Sequence, residues 1–129
     1  MQEKLMELDF TGRTILIVED DTISRLYMRE LLAPTGALVD FVRNGSEALE
    51  YFKNNRVPHV VLMDIKLPDI DGIELSKKLI GMFPDIKIIA QTAFANETVE
   101  VLCMQAGMKA YLTKPLRNEN LMAVLKKLI

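Results

Sequence analysis

The stretch HVVLMDIKLPDIDG, residues 59–72, decides the fold of this chain. Residues 59–63 are dominated by apolar side chains with no polar alternation, which indicates a strand that is buried on both faces. Asp64 follows this run directly, and the loop after it contains Pro68 and the turn signal Asp71-Gly72. Strands of this kind are typical of a parallel sheet that helices cover on both sides.

On either side of this stretch, short apolar runs alternate with longer amphipathic segments. The apolar runs predict strands at residues 14–18, 37–42, 86–90 and 109–112. The amphipathic segments predict helices at residues 22–33, 45–53, 73–82, 96–106 and 118–129. Residues that can cap these helices precede them, namely Asp21 or Thr22, Asn44 and Asn96. This alternation implies parallel pairing through right-handed crossovers, and therefore an open α/β sheet with helices on both faces.

In an open α/β sheet the ligand site lies beyond the carboxyl ends of the strands. Polar side chains stand at four of these ends in the chain. In chain order they are Glu19-Asp20-Asp21, Asp64, Thr92 and Lys114-Pro115. Several carboxylates, one lysine and one hydroxyl are therefore expected at the same edge of the sheet. Asp21, Asp69 and Asp71 are interpreted as cap and turn residues instead.

The chemistry of these strand ends indicates a metal and a phosphoryl group. Glu19, Asp20 and Asp64 would repel one another at close range, and a divalent cation removes that conflict. Ligands that are all oxygen favour Mg²⁺, which takes one or two carboxylates together with phosphate oxygens. An Asp64 oxygen is then free to act as a nucleophile. Lys114 and the Thr92 hydroxyl can pair with other phosphate oxygens.

Composition limits the classes of function. The 129 residues are half hydrophobic and fit one globular domain, with a formal net charge of -2 that offers no basic field for nucleic acid or an anionic membrane. The single cysteine, Cys103, excludes an intramolecular disulfide and a cysteine-based zinc site. No apolar run has the length of a membrane span, and the amino-terminal residues do not look like a signal peptide. A cytoplasmic location is expected.

Four segments together resemble the signature of response-regulator receiver domains: ILIVEDD, VVLMDIKLPDIDG, IIAQTAF and AYLTKP. They occur in the family's order and at close to its spacing, and the resemblance extends over residues 13–129. It implies a flavodoxin-like, doubly wound sheet of five parallel strands in the order 2-1-3-4-5, with five helices. Residues 1–12 are expected to be a linker or a frayed segment.

The resemblance also assigns roles at the metal and acceptor site. Glu19 and Asp20 match the acidic pair that holds Mg²⁺, although many members have Asp at the first position. Asp64 matches the phosphoacceptor and is itself a metal ligand. Lys66 matches the position whose backbone carbonyl binds the metal. Lys66 and Phe94 match two positions that tune the lifetime of the phosphate, and their bulk predicts slow self-hydrolysis.

The remaining roles concern the conformational switch. Thr92 matches the switch hydroxyl, Tyr111 the switch aromatic and Lys114 the family's lysine, which a cis-proline, Pro115, follows. Phosphorylation is expected to change the face made by helix four, strand five and helix five. The residues expected to carry this face are Val99, Cys103, Tyr111 and the helix of Leu121.

By this resemblance the chain is a phosphoacceptor module and not a conventional enzyme, although it would catalyse its own phosphorylation and dephosphorylation. The expected donor is a sensor histidine kinase or a phosphotransfer protein. The downstream partner and a phosphorylation-dependent dimer are left open. The segments MDIKLPDIDG and IIAQTAFA are similar to receivers of hybrid sensor histidine kinases, so a fragment of such a kinase is favoured over a stand-alone regulator.

Three alternatives use parts of the same pattern. A Mg²⁺-dependent phosphohydrolase would need a second acid shortly after the nucleophile, where Lys66 stands. A flavodoxin-like flavin binder would need a Ser-, Thr- or Gly-rich phosphate loop after the first strand, where the chain has Glu19-Asp20-Asp21. A receiver-like module that only binds partners would not need the acid, threonine and lysine set.

Overall fold

A computed structural model of the chain describes residues 8–129. The strands are β1 (Thr14–Val18), β2 (Leu38–Val42), β3 (Val60–Asp64), β4 (Ile88–Thr92) and β5 (Ala110–Thr113). The α-helices are α1 (Thr22–Leu32), α2 (Gly45–Asn54), α3 (Gly72–Met82), α4 (Glu97–Gln105) and α5 (Asn118–Leu128). A short 3-10 turn, Ala33–Thr35, ends the first crossover. Within residues 8–129, no helix is both long and apolar enough to cross a membrane.

The five strands form one parallel sheet in the order β2-β1-β3-β4-β5. This order confirms the predicted doubly wound topology with five helices. The chain changes direction along the sheet between β1 and β3, so the carboxyl ends of these two strands border the crevice where ligands of such sheets bind.

Two apolar clusters cover the two faces of the sheet. The first cluster lies under α2, α3 and α4 and contains Leu16, Val18, Val61, Met63, Ile88 and Ala90. The second lies under α1 and α5 and contains Ile15, Ile17, Val60, Leu62 and Ile89. Successive residues of each central strand therefore alternate between the clusters, as the period of a strand requires.

Each predicted helix cap is present. Asp21 accepts from the Ser24 N–H at 2.8 Å, and Asn96 accepts from the Val99 N–H at 2.8 Å. Two further caps, Asn44 and Asp71, accept from the N–H groups of Glu47 and Ile73 at 2.8 and 2.7 Å. These bonds satisfy amide groups that the first turn of a helix leaves without partners.

The predicted bounds of the fourth strand were wrong by two residues. The apolar run 86–90 predicts a strand there, but the strand is Ile88–Thr92. Ile86 instead lies in a turn in which its N–H donates to the Phe83 carbonyl at 2.9 Å. Backbone pairing with β3 decides the bounds, and it extends to Gln91 opposite Asp64. Thr92 is thus the last residue of β4, just as Asp64 is the last residue of β3.

The segment before β1 was expected to be a linker or a frayed end, and residues 1–7 lie outside the described residues. Within the described part, Phe10 is buried and its N–H donates to the Thr35 carbonyl at 2.7 Å. Residues around Phe10 therefore pack against the sheet. The division of the chain at residue 13 stays a prediction.

Candidate functional site

Three of the predicted site residues meet at the edge of the sheet where the strands have their carboxyl ends. Glu19 follows β1, Asp64 ends β3 and Lys114 follows β5. The Lys114 ammonium donates to Glu19 Oε1 at 2.6 Å and to Asp64 Oδ2 at 3.1 Å. One cation therefore bridges two carboxylates that come from positions 19 and 64 of the chain.

The backbone around Lys114 holds this side chain over the edge of the sheet. The Lys114 N–H donates to the Thr92 carbonyl at 2.8 Å, which extends the pairing of β4 with β5 by one bond. The peptide bond between Lys114 and Pro115 is cis, as the resemblance implies. One residue after Pro115, the Leu116 carbonyl accepts from the Tyr27 hydroxyl at 2.5 Å, and this bond connects the loop to α1.

Glu19 is almost completely buried, with an exposed fraction of 1%. Its Oε1 accepts from Lys114, and its Oε2 accepts from the Asp21 N–H at 2.9 Å. Burial raises the pKa of Glu19, the bonds from Lys114 and Asp21 lower it, and the charge of Asp64 raises it again, so that the net shift is upward. Burial thus favours the neutral form of Glu19 even with the Lys114 ammonium beside it.

Lys114 is the cation beside Glu19. Burial lowers the pKa of Lys114, but the hydrogen bond to Glu19 and the charge of Asp64 outweigh burial, and the net shift is upward. The side chain therefore stays protonated at neutral pH and can act as a fixed positive charge at the edge of the sheet.

The loop that follows β3 contacts both the side chain and the backbone of Asp64. Its Oδ1 accepts from the Lys66 N–H at 3.1 Å. Gly72 approaches its backbone so closely that a Cβ atom at Gly72 would lie 2.1 Å from the Asp64 carbonyl oxygen. The sequence predicted a turn at Asp71-Gly72, with Asp71 as a turn or cap residue, but not this close approach to Asp64. The Asp-Gly pair at the start of a predicted helix was the one signal in the sequence for a special backbone position. It does not reveal that the backbone of Asp64 lies against Gly72.

The predicted metal ligands are assembled only in part. Glu19 and Asp64 share Lys114, while Asp20 is exposed. In the part of the chain that the structure describes, no three His, Cys, Asp or Glu side chains come close enough together to hold a metal ion. The residues nevertheless fit Mg²⁺, because this ion takes only one or two carboxylates and completes its shell with water and phosphate oxygens. The mutual repulsion of Glu19 and Asp64 is the conflict that such an ion relieves.

The two predicted switch residues lie at the ends of β4 and in β5. Thr92 is buried, and its hydroxyl oxygen accepts from the Phe94 N–H at 3.0 Å. The Tyr111 hydroxyl oxygen accepts from the Asn96 N–H at 3.2 Å. Tyr111 is half-buried against the first cluster and thereby connects β5 to the start of α4.

Lys66 and Phe94 meet across the edge of the sheet. The Lys66 ammonium nitrogen lies 4.8 Å from the centre of the Phe94 ring, within the range of a cation–π contact. Phe94 itself is 63% exposed. The pair therefore joins the loop after β3 to the loop after β4 on the solvent side of the site.

The expected partner face needs one correction. Cys103 was assigned to this face, but it is completely buried in the first cluster. The Cys103 side chain lies on the side of α4 that faces the sheet, so it is not accessible to a partner. The exposed apolar side chains of this helix are Val101, Leu102 and Met104, at 52%, 46% and 48% exposure.

Asp69 joins the loop after β3 to α2, a contact that was not predicted from the sequence. Its two carboxylate oxygens accept from the N–H groups of Gly45 and Ser46 at 2.8 and 2.9 Å. The bond from Gly45 lowers the pKa of Asp69 most, and the bond from Ser46 lowers it further. Sequence reasoning assigned Asp69 to a local turn because a bond spanning 24 positions leaves no local signal.

Comparison with known proteins agrees with this geometry. The family model of the response regulator receiver domain matches residues 15–126. Response regulator MprA of Mycobacterium sp. (strain KMS) is 35% identical over 115 residues, a match that covers 89% of this chain and 50% of MprA. The chain thus spans about half the length of that relative.

Two other relatives place similar sequences in different settings. Sensor histidine kinase CheAY of Helicobacter pylori is 31% identical over 118 residues, with 89% of this chain and 15% of CheAY covered. The crystal structure of a CheY-like response regulator receiver domain protein from Methanospirillum hungatei JF-1 is 33% identical and superposes with a TM-score of 0.82. That match covers 89% of this chain and 91% of the crystallised one.

Proposed function

The chain belongs to the response regulator receiver domain family, and from this premise we propose that Asp64 accepts a phosphoryl group from a phosphohistidine donor. Domains of this family act in two-component phosphorelay signalling and interact with histidine kinases or phosphotransfer proteins. The observation that carries the assignment to Asp64 is its 3.1 Å contact with the Lys114 ammonium at the carboxyl ends of the strands. A nucleophile and a fixed positive charge then share one edge of the sheet.

The proposed transfer is an in-line displacement at phosphorus. An oxygen of Asp64 forms a bond to phosphorus, while the bond from phosphorus to the donor's imidazole nitrogen breaks. The imidazole leaves with the electron pair of that bond and is protonated from solvent. Lys114 pairs with a phosphoryl oxygen, and the Thr92 hydroxyl, which now accepts from Phe94, donates to another. A small acyl phosphate serves as a donor in the same way, with a carboxylate as leaving group.

Receiver domains generally bind Mg²⁺ at the phosphorylation site, and we assign its ligands here to Glu19, Asp20, Asp64 and the Lys66 carbonyl. When bound, Mg²⁺ neutralises negative charge on the acids and on the phosphoryl oxygens. Exposed Asp20 is free to turn toward the site. Glu19 would offer one of its two oxygens, which now accept from Lys114 and from the Asp21 N–H.

Hydrolysis of the phosphoryl group on Asp64 returns the domain to its unphosphorylated state. A water attacks phosphorus, the bond to the Asp64 oxygen breaks, and inorganic phosphate leaves. The module is therefore not a conventional enzyme, although it promotes both steps of its own cycle. The contact between Lys66 and Phe94 covers the solvent side of the site, which supports a slow hydrolysis.

The proposed output is a change of the face formed by α4, β5 and α5. The Thr92 hydroxyl turns toward the phosphoryl group and gives up its bond from Phe94. Tyr111 moves into the space that Thr92 leaves, and its bond from Asn96 at the start of α4 breaks. The apolar residues of α4 that are exposed, Val101 and Leu102 among them, provide the surface for a partner or a second copy.

The setting of the domain is part of the proposal. The proposal favours the receiver of a hybrid kinase, with the domain beginning at residue 13, and the match to a small part of a sensor histidine kinase is compatible with it. The proposal places the exchange in the cytoplasm, a reducing compartment with which the single, unpaired Cys103 is compatible. Neither nucleic acid nor membrane is proposed as a direct partner.

The test is an intact-mass measurement after incubation with acetyl phosphate and Mg²⁺. The expected result is one added phosphoryl group, which EDTA or Asp64→Asn abolishes. Asp85→Asn, which changes an exposed acid at the turn before β4, is the matched control and should label like the wild type. Labelling of Asp64→Asn to the same extent as the wild type would refute the assignment of Asp64.

A protein that takes no phosphoryl group from acetyl phosphate is then offered a phosphorylated histidine phosphotransfer domain. Labelling by that donor alone would keep Asp64 as the acceptor and limit the proposal to protein donors. No labelling by either donor would reduce the chain to a partner-binding module that has the residues without the chemistry.

A further inference from the structure

Gln91 is completely buried, and its side-chain amide has no hydrogen-bond partner. Its exposed fraction is 0%, and neither Nε2 nor Oε1 bonds to any group within residues 8–129. Buried amides are normally paired, because an unpaired one has lost its bonds to water and gained nothing in return. An apolar residue would fill this position without the free-energy cost of an unpaired amide. The presence of an amide here therefore suggests a role beyond packing.

The position of Gln91 relative to Asp64 supplies one. The two residues are register partners on the adjacent strands β4 and β3. Side chains alternate along a strand, so Gln91 lies on the same face as Ile89, and Asp64 lies on the same face as Leu62. Ile89 and Leu62 both belong to the second cluster. Gln91 and Asp64 are therefore side-by-side neighbours on one face of the sheet.

The other neighbour of Gln91 offers no polar group. Its register partner on β5 is Leu112, which packs against the same cluster. Of the two side chains beside Gln91, only the Asp64 carboxylate can accept a hydrogen bond. The amide thus stands next to the proposed phosphoacceptor with a donor that the described state does not use.

Asp64 has room for this donor. A carboxylate offers about four acceptor positions. Two donors occupy Asp64, the Lys66 N–H on Oδ1 at 3.1 Å and the Lys114 ammonium on Oδ2 at 3.1 Å, and the proposed Mg²⁺ takes a third position, which leaves one for Gln91. Lys114 is also shared with Glu19. A phosphoryl group on Asp64 brings new negative oxygens, and a lysine ammonium pairs with such oxygens as a mobile point charge. Asp64 then loses one of its two donors.

We propose that Gln91 is a positioning residue of the phosphoacceptor site, whose Nε2 donates to the remaining Asp64 oxygen when Lys114 moves to the phosphoryl group. This inference rests on the proposed function of Asp64. In the unphosphorylated protein the amide is unpaired, and in the phosphorylated protein it is paired. Gln91 therefore shifts the equilibrium toward phosphorylation by disfavouring the resting state.

A second buried polar group gives a matched control. Ser76 is also 0% exposed, and its hydroxyl has no partner in the described part of the chain. It lies on α3, the helix whose Leu75 and Leu79 pack in the first cluster on the opposite face of the sheet. Loss of the Ser76 hydroxyl removes the same kind of unpaired group without touching the neighbourhood of Asp64.

The experiment compares wild type, Gln91→Met and Ser76→Ala. Methionine has the unbranched shape of glutamine and no amide. Each protein is unfolded in urea, and each is incubated with acetyl phosphate and Mg²⁺ while intact mass follows the phosphoryl adduct. Both variants are expected to unfold at higher urea concentration than the wild type. Only Gln91→Met is expected to gain the adduct more slowly, by about fivefold, the size of one lost hydrogen bond to a neutral carbonyl oxygen.

Each contrary result has a distinct meaning. Equal initial rates for wild type and Gln91→Met would make Gln91 a packing residue and overturn this inference alone. A lower urea midpoint for both Gln91→Met and Gln91→Leu would show that the amide is paired in the resting protein, for example by an internal water, and would also overturn it. If Gln91→Met has a lower urea midpoint than the wild type but Gln91→Leu has a higher one, methionine does not fit the site. The phosphorylation rate of Gln91→Leu then tests the inference in its place. A wild type that takes no phosphoryl group would remove the proposed function first.

Discussion

Lys114 is the residue on which the electrostatics of the site depend. Its ammonium bridges the buried Glu19 carboxylate and the Asp64 carboxylate, which come from the ends of different strands. Without it, two acids of like charge would face each other at the edge of the sheet. The same charge that stabilises the resting protein is therefore available to pair with a phosphoryl group.

Lys114→Met tests this dependence. Because the substitution leaves two buried carboxylates without a cation, we expect the free energy of unfolding at neutral pH to fall by about 3 kcal/mol. Urea unfolding measures it, with Lys109→Met as a control at an exposed lysine. Added Mg²⁺ should restore more stability to the Lys114 variant than to the wild type. Equal stability of both lysine variants would contradict the bridging role.

Gly72 fixes the backbone that carries Asp64. A Cβ atom at this position would lie 2.1 Å from the Asp64 carbonyl oxygen and 2.8 Å from the Ile65 Cα atom. Gly72→Ala must therefore displace the backbone of Asp64, and we expect a loss of about 2–3 kcal/mol in the free energy of unfolding, as for overpacking. We also expect slower phosphorylation in the mass assay.

Gly81 provides the control for Gly72, since both glycines belong to α3. A Cβ atom at Gly81 would meet nothing within 4 Å. Gly81→Ala should raise the free energy of unfolding by up to about 1 kcal/mol, because alanine has the higher helix propensity. If the two substitutions had the same effect, close approach to Asp64 would not be the reason for glycine at position 72.

At the scale of secondary-structure elements, the loops beyond the strand ends are tied to helices and to each other. Asp69 caps α2 from the loop after β3, with one oxygen on each of two N–H groups. Lys66, in the same loop, contacts Phe94 in the loop after β4. The loop after β3 therefore connects Asp64 to α2 and to the loop after β4.

Asp69→Ala removes the cap that joins the loop to α2. We expect it to lower the free energy of unfolding by about 1 kcal/mol, the usual effect of losing a helix cap. Urea unfolding measures the loss, and Asp85→Ala is the control at an exposed acid outside the site. A loss of equal size in both variants would exclude a specific role of the cap.

The pH dependence of this cap has a defined direction. The hydrogen bonds from Gly45 and Ser46 lower the pKa of Asp69 from its ordinary value of 3.8. The folded protein therefore binds fewer protons here than the unfolded chain. The stabilisation is complete above the pKa of the unfolded chain and is lost as the pH falls through the lower pKa of the folded protein. The stability difference between wild type and Asp69→Ala should accordingly shrink below about pH 4.

Phe94→Ala tests the contact between the two loops. Its removal opens the solvent side of Asp64, so we expect phosphorylated Asp64 to lose its phosphoryl group about threefold faster, in line with the size of an exposed cation–π contact. Lys66→Ala should have a similar effect, and the double variant should be no faster than either single one. Intact mass after removal of the donor gives the lifetime. A lifetime unchanged by both substitutions would remove the shielding hypothesis.

At the scale of the whole molecule, one sheet carries two apolar clusters that share no side chain. Leu16 and Ile17 are adjacent in β1, completely buried, and belong to different clusters. Because both clusters depend on the same strands, we expect that neither face unfolds while the other stays packed. The molecule should therefore respond to a defect on either face as one cooperative unit.

Leu16→Ala and Ile17→Ala test this cooperativity. Each should lower the free energy of unfolding by about 2–5 kcal/mol, the range for truncation of a buried aliphatic side chain. Circular dichroism and tyrosine fluorescence should follow a single urea transition in both variants. Separate transitions for the two probes would show that the faces unfold independently.

Much of this protein can be predicted from its sequence. Apolar runs such as 59–63 predict buried strands, cap residues such as Asp21 and Asn96 predict helix starts, and the alternation of the two element types limits the topology to a doubly wound sheet. The carboxyl-end rule then brings together Glu19, Asp64 and Lys114, because residues after parallel strands share one edge of the sheet. Local patterns suffice here, since each depends on neighbours within a few positions of the chain.

The tertiary structure alone decides the contacts between distant segments. The close approach of Gly72 to Asp64, the bonds of Asp69 to α2 and the register that puts Gln91 beside Asp64 have no local signature. Backbone pairing also placed β4 two residues later than its apolar run predicted, and packing buried Cys103 away from the expected partner face. Register and packing are properties of two segments together, so one segment's sequence determines its element but not its neighbours.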